Sequence, residues 1–152
     1  MDIDEKKKRL QDILLLARKS LGWTAKEFGD KLDVSRQTIN NLEAHRANYN
    51  LTTMQYLAMR QVFQEEINEH PDKTEMLKDL LAAFVDHPEA FTDEQRKEIK
   101  YKANMLAPAI LSRSADKHDV YKVWTTMLAA AGIVIGAAIT AFVATNAGGK
   151  KK

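Results

Sequence analysis

Twenty residues constrain this 152-residue chain more than any others: Thr24–Glu43, TAKEFGDKLDVSRQTINNLE. They encode two short helices separated by an obligatory turn. Thr24 is placed to cap the first helix, with Lys26 and Glu27 in its opening turn. Phe28, Leu32 and Val34 give that helix its apolar contacts. Asp33 falls where the chain must reverse, and aspartate tolerates left-handed backbone. Ser35 caps the second helix, whose Ile39 and Leu42 turn back toward the first. Arg36, Gln37, Thr38, Asn40 and Asn41 are left facing outward. They are short or planar and rich in donors and acceptors, which suits base edges in a major groove that admits one α-helix.

From Arg18 to Leu57 the chain resembles the Xre/Cro-type, lambda-repressor-like helix-turn-helix of phage repressors. The resemblance rests on R-x-x-L-G-W-T at Arg18–Thr24 and on F-x-x-K-L-x-V-S-x-x-T-I-x-x-L-E ending at Glu43. The VSRQTI hexamer is its most specific part. Two positions depart from the pattern: Ala25 stands where the family carries a phosphate-touching glutamine, and Asp33 where it carries a turn glycine. The resemblance implies a DNA-binding head in which Arg18 and Glu43 are a structural pair, joining the first helix to the end of the reading helix. Thr24, Lys26 and Ser35 are phosphate candidates, as are Arg46 and Asn48 in the polar turn Ala44–Asn50.

Around this core the periodicity predicts an all-α protein. A first helix is expected from about Lys8 to Leu21, burying Leu10, Ile13, Leu14, Ala17 and Leu21, with residues 2–8 frayed and Gly22 as its stop. Trp23 reads as core. A fourth helix over about Thr52–Glu69 is expected to close the core with Met54, Leu57, Ala58 and Phe63. Residues 1–70 then form the head. His70-Pro71 and His87-Pro88 bracket a helix with Leu77, Leu80, Leu81 and Phe84 on one face. Thr92 caps another, bearing Ile99, Ala103 and Leu106 and meeting Pro108. Residues 71–120 read as a helical spacer or a small dimerising module.

The 23 residues Val123–Thr145 carry no charge. As one helix they would reach roughly 35 Å, against about 30 Å of bilayer hydrocarbon. This predicts a single transmembrane helix over 121–147, with Tyr121 and Trp124 in an aromatic belt and a basic tail, 148–152, at the headgroups. The competing reading is a buried helix of a soluble oligomer. Gly132, Gly136, Thr140, Ala144 and Gly148 form a ridge of small residues, a surface for helix self-association. Charge does not orient the span: Arg113, Lys117 and Lys122 precede it, and Lys150, Lys151 and Lys152 follow. A head that reads DNA requires the N-terminal side to be cytoplasmic, at a bacterial cytoplasmic membrane. MDIDEKKKRL lacks the apolar stretch of a signal peptide.

The net charge of +2 names no partner, but its distribution is uneven: +3 over residues 1–63, −4 over 64–122 and +3 beyond. Enzymatic chemistry is not expected. The four histidines, 45, 70, 87 and 118, are scattered, and no HExxH, phosphate-cradling glycine loop or G-x-S-x-G is present. His70 with Glu66 and Glu69 is expected to be a solvated cluster, with no metal and no cofactor. The expected partners are double-stranded DNA, membrane lipid and a second copy of the chain. The resulting expectation is a membrane-anchored, dimeric transcriptional repressor on a palindromic operator. The alternative is a membrane-anchored adaptor whose head grips a cytoplasmic filament or other protein partner.

Overall fold

The computed structural model of the chain describes residues 2–46 and 48–150, without the side chains of residues 147–150. Among these residues the elements are α1 (Ile3–Ser20), α2 (Ala25–Leu32), α3 (Arg36–Glu43), α4 (Thr53–Glu69), α5 (Glu75–Leu81), α6 (Asp93–Leu111), α7 (Lys117–Ala130) and α8 (Ile135–Lys150). Short 3-10 turns open at Pro71 and Pro88, and α5 runs on through a π-turn, Ala82–Asp86. No strand occurs among the described residues.

Local side-chain chemistry sets the helix starts. Thr24, Ser35, Thr52 and Thr92 each accept the backbone amide three residues on, at 3.0–3.1 Å. Glu27, Gln55 and Gln95 return a bond to the capping residue's amide, completing three capping boxes. The same chemistry corrects the expected start of α1. Asp2 accepts the Glu5 amide at 2.8 Å, and Asp4 and Glu5 oppose the positive end of the helix dipole. Residues 3–8 are therefore helical rather than frayed, and Lys7 reaches the Thr53 hydroxyl at 3.2 Å.

The long helix α1 lies at the centre. Leu10, Gln11, Ile13, Leu14, Leu16, Ala17, Arg18 and Ser20 are all buried, which takes up well over half of its circumference at 3.6 residues per turn. One flank packs on α3 and α4, the other on α5, the π-turn and α6. Residues 71–120 are thus not a spacer. Leu77, Leu80, Val85, Ile99, Ala103 and Ile110 join the same apolar cluster as Leu14, Phe28 and Phe63. Arg60 ties α4 to the π-turn through two bonds of 2.9 Å to Asp86.

Two further expectations are corrected here. On α4 the buried residues are Tyr56, Met59 and Phe63, while Met54 is 83% and Leu57 56% exposed and Ala58 also faces solvent. Both stripes are apolar at helical spacing, and the position of α1 and α2 selects the first. α6 does not stop at Pro108 but continues to Leu111, because a proline in the last turn removes only one intrahelical bond.

The uncharged stretch is not one helix either. α7 and α8 meet at 66°, and no single helix among the described residues is long and apolar enough to cross a membrane. Gly132 breaks the run at φ +80°. Its amide bonds to the Ala129 carbonyl at 2.9 Å, and the Ile133 amide to the Leu128 carbonyl at 2.8 Å. This is a Schellman closure, with Leu128 and Ile133 both buried. Trp124 is fully buried and donates to the Ile99 carbonyl at 3.3 Å, so it belongs to the core and not to an aromatic belt. Tyr121 donates to Asp79 at 2.8 Å, and burial pushes that carboxyl up to about 6. Gly132 is consequently absent from any helical ridge. Gly136, Thr140 and Ala144 are exposed on α8, while the exposure of Gly148 and of the tail lies outside what the structure describes.

Candidate nucleic-acid interface

α2 and α3 meet at Gly29. A Cβ there would stand 2.7 Å from the Val34 carbonyl oxygen, so the close approach of the turn to α2 requires glycine. The Val34 amide donates to the Gly29 carbonyl at 2.9 Å. Asp33 adopts the left-handed conformation, φ 56° and ψ 44°, and ends α2 as the turn demands. Gly29 was not singled out in the sequence, although a glycine inside an eight-residue helix signals such a close approach.

The outward row of α3 is partly as expected. Arg36, Gln37 and Asn40 are exposed. Thr38 is half-buried, with its hydroxyl 3.0 Å from that of Ser35. Asn41 differs: it is buried, and its Oδ1 accepts from Gln37 Nε2 at 3.0 Å. It therefore orients Gln37 rather than offering itself to a groove. Gln37 keeps its carbonyl oxygen and one N–H, the pair that recognises adenine.

Two buried polar devices fix α3 from behind. Arg18 Nε and Nη2 donate to both oxygens of Glu43 at 2.6 and 2.9 Å, and Nη1 donates to the Trp23 carbonyl at 2.8 Å. The two side chains are only 9% and 6% exposed. Gln11 secures the following loop: its Nε2 donates to the Leu42 and Tyr49 carbonyls at 3.1 and 2.7 Å, and its Oε1 accepts from the Leu51 amide at 3.0 Å. Sequence reasoning missed Gln11.

Among the phosphate candidates, Thr24 and Ser35 use their oxygens as caps; the Thr24 hydroxyl hydrogen is left able to donate outward, while the Ser35 hydroxyl also bonds with that of Thr38. Lys26 lies 2.9 Å from Asp30. Arg46 and Asn48 are exposed in the loop after α3, with His45 and Asn48 in left-handed backbone; Ala47 lies outside the described residues. The hydrogen bond from the Thr24 amide holds the Glu27 carboxyl below its usual range. Elsewhere, Glu66, Glu69 and His70 come within 4.8 Å of one another at the end of α4, an arrangement that exposed acids adopt without an ion.

Two helices at a tight turn, with a braced polar row on the second, form a helix-turn-helix head. A family model described as Helix-turn-helix matches residues 14–58, from the middle of α1 into α4. That match supports a DNA-binding regulator in general, a class not typically enzymatic. Searches of the curated proteins and of the solved structures give no match to the chain.

Proposed function

We propose that this chain is a sequence-specific transcriptional repressor that binds DNA as a dimer and is held at the cytoplasmic face of a membrane by α8. The observation that carries the DNA reading is the α3 row, with Gln37 pre-oriented by Asn41 over a buried Arg18–Glu43 bond. A filament-gripping adaptor has no need of planar donor–acceptor pairs on that face. A dimer would set two such helices in successive major grooves, on a near-palindrome with half-sites about 10 bp apart or a multiple of it.

Selection of bound sequences from random DNA tests this. With the full chain, Gln37→Ala is expected to cost about 1–3 kcal/mol on the preferred site and little on random DNA, relaxing one or two positions of each half-site. Arg46→Ala is expected to weaken all sequences alike and to lower the salt slope by about 0.9 for each phosphate it no longer neutralises. An unchanged motif in Gln37→Ala would remove α3 as the reader, and a wild type selecting no motif would favour the adaptor.

The membrane reading is supported by composition and exposure. No charge occurs between Lys122 and Lys150, and Val134 and Val143 are solvent-exposed. α8 covers about 24 Å at 1.5 Å per residue, short of the roughly 30 Å hydrocarbon core, so it anchors rather than spans while α7 stays in the protein. Gly136, Thr140 and Ala144 supply the close-approach face for a second copy. The full chain is expected to float with lipid vesicles, and a chain ended after Gly136, which retains buried Ile133 and Ile135, is not. Equal flotation of the two would rule out α8 as the anchor.

A further inference from the structure

At the join between α6 and α7, three cations converge within a stretch of net charge −4. Lys73, Arg113 and Lys117 line a cavity of about 190 Å³ together with Ile110, Ala115 and Asp116. Asp116 caps α7, its Oδ1 accepting from the His118 and Asp119 amides at 2.9 and 3.2 Å, so the lining holds one carboxylate against three cations. Burial holds the Lys117 ammonium below its usual range, and Lys73 and Arg113 add to this while Glu66 and Glu27 oppose it. An anion seated among the three would relieve that repulsion.

Arg113 is in an unusual conformation for its type. It ends α6 at φ 60°, its amide bonded to the Ile110 carbonyl and the Ser114 amide to the Ala109 carbonyl, which is the position that glycine fills most readily. A non-glycine residue there carries a conformational cost of roughly 1 kcal/mol, so the side chain is the part worth explaining. It is 74% exposed and lies 3.8 Å from Glu27, in the first turn of α2. Lys117 packs on the turn before α2, its Cε 3.4 Å from where a Cβ on Gly22 would stand. The C-terminal helices thus deliver positive charge to the beginning of α2. In a helix-turn-helix, that helix crosses the DNA backbone, and phosphates take bonds from Arg, Lys and helix N-termini. Ala25, the first residue of α2, brings no side-chain donor of its own.

We propose that Lys73, Arg113 and Lys117 form a second phosphate clamp, through which the C-terminal helices hold the DNA strand that α2 crosses. The proposal rests on the DNA-binding reading of the head. It assigns these residues affinity, not sequence choice.

The test uses the full chain and fluorescence anisotropy over a salt series, on the selected site and on a random duplex. Arg113→Gly is expected to weaken both roughly three- to tenfold near 0.1 M salt and to lower the salt slope by about 0.9. The selected motif stays the same, and the melting temperature is unchanged or higher, because glycine accepts the left-handed backbone. Lys117→Gln should act in the same direction. Lys97→Gln removes an equal charge about 24 Å away along α6 and should leave the slope unchanged. Wild-type affinity and slope in Arg113→Gly, or an equal effect from Lys97→Gln, would overturn the clamp while leaving the reading helix intact. A wild type that selects no motif, yet whose slope on DNA falls in Arg113→Gly, would sink the reading helix and keep the clamp. A wild type that binds no DNA sinks both.

Discussion

Residues 1–70, produced alone, are expected to lose their cooperative thermal transition, whereas a chain ended after Gly136 keeps it. The reason is α1. At about 100° per residue, Gln11 and Arg18 occupy one flank of this helix, and their bonds run to α3 and the loop after it. Ile13, Leu16 and Ser20 occupy the opposite flank and are buried as well, so that side is covered by α5 and α6. Cutting at residue 70 uncovers it. Each large aliphatic side chain exposed costs about 1.5–3 kcal/mol. Two or three such losses come to about 3–9 kcal/mol, which reaches the lower part of the 5–15 kcal/mol that ordinarily separates folded from unfolded chains. Circular dichroism melts of the two chains make the comparison. A sharp transition in 1–70, within a few degrees of the longer chain, would show that α5–α7 is an independent appendage.

Glu43→Ala is expected to destabilise the full chain by about 3–5 kcal/mol, because it leaves the Arg18 guanidinium buried with only the Trp23 carbonyl as partner. At roughly 2–4 °C per kcal/mol for a chain of this size, the melting temperature should fall by about 10 °C. Replacing both members with apolar residues, Arg18→Met with Glu43→Leu, should cost less than Glu43→Ala alone, since a buried pair exchanged for hydrocarbon is often nearly neutral. That ordering separates the effect of the stranded charge from that of the missing side-chain volume. A single variant melting within a degree of wild type would show that water reaches the pair.

The head was legible in the sequence because its determinants are local. Thr24, Ser35 and Thr52 cap helices with amides three residues away, and Asp33 makes a turn that depends on its own backbone. The C-terminal part was misread because its determinants are distant or compete. Hydropathy along Val123–Thr145 registers a long apolar run, yet the partner of Trp124 is Ile99, 25 residues earlier. Gly132 served as a step of a small-residue ridge, when glycine after alanines and before Ile133 is also the stop signal that α7 obeys. On α4, Met54, Leu57 and Ala58 form an apolar stripe as Tyr56, Met59 and Phe63 do, and the location of α1 and α2 decides between the two. In α3 the short reach of an asparagine concealed that Asn41 would turn toward Gln37 rather than outward.

The two-sided burial of α1 makes the reading helix and the C-terminal helices partners in one thermodynamic linkage. A ligand or surface that binds only the intact α5–α7 layer also stabilises the head, by RT ln(1 + [L]/Kd), with no contact to α3. The relation is reciprocal: a ligand bound at α3 suppresses opening of the layer around Trp124 by the same free energy. With α1 packed against both, occupancy at one end is registered at the other as resistance to opening.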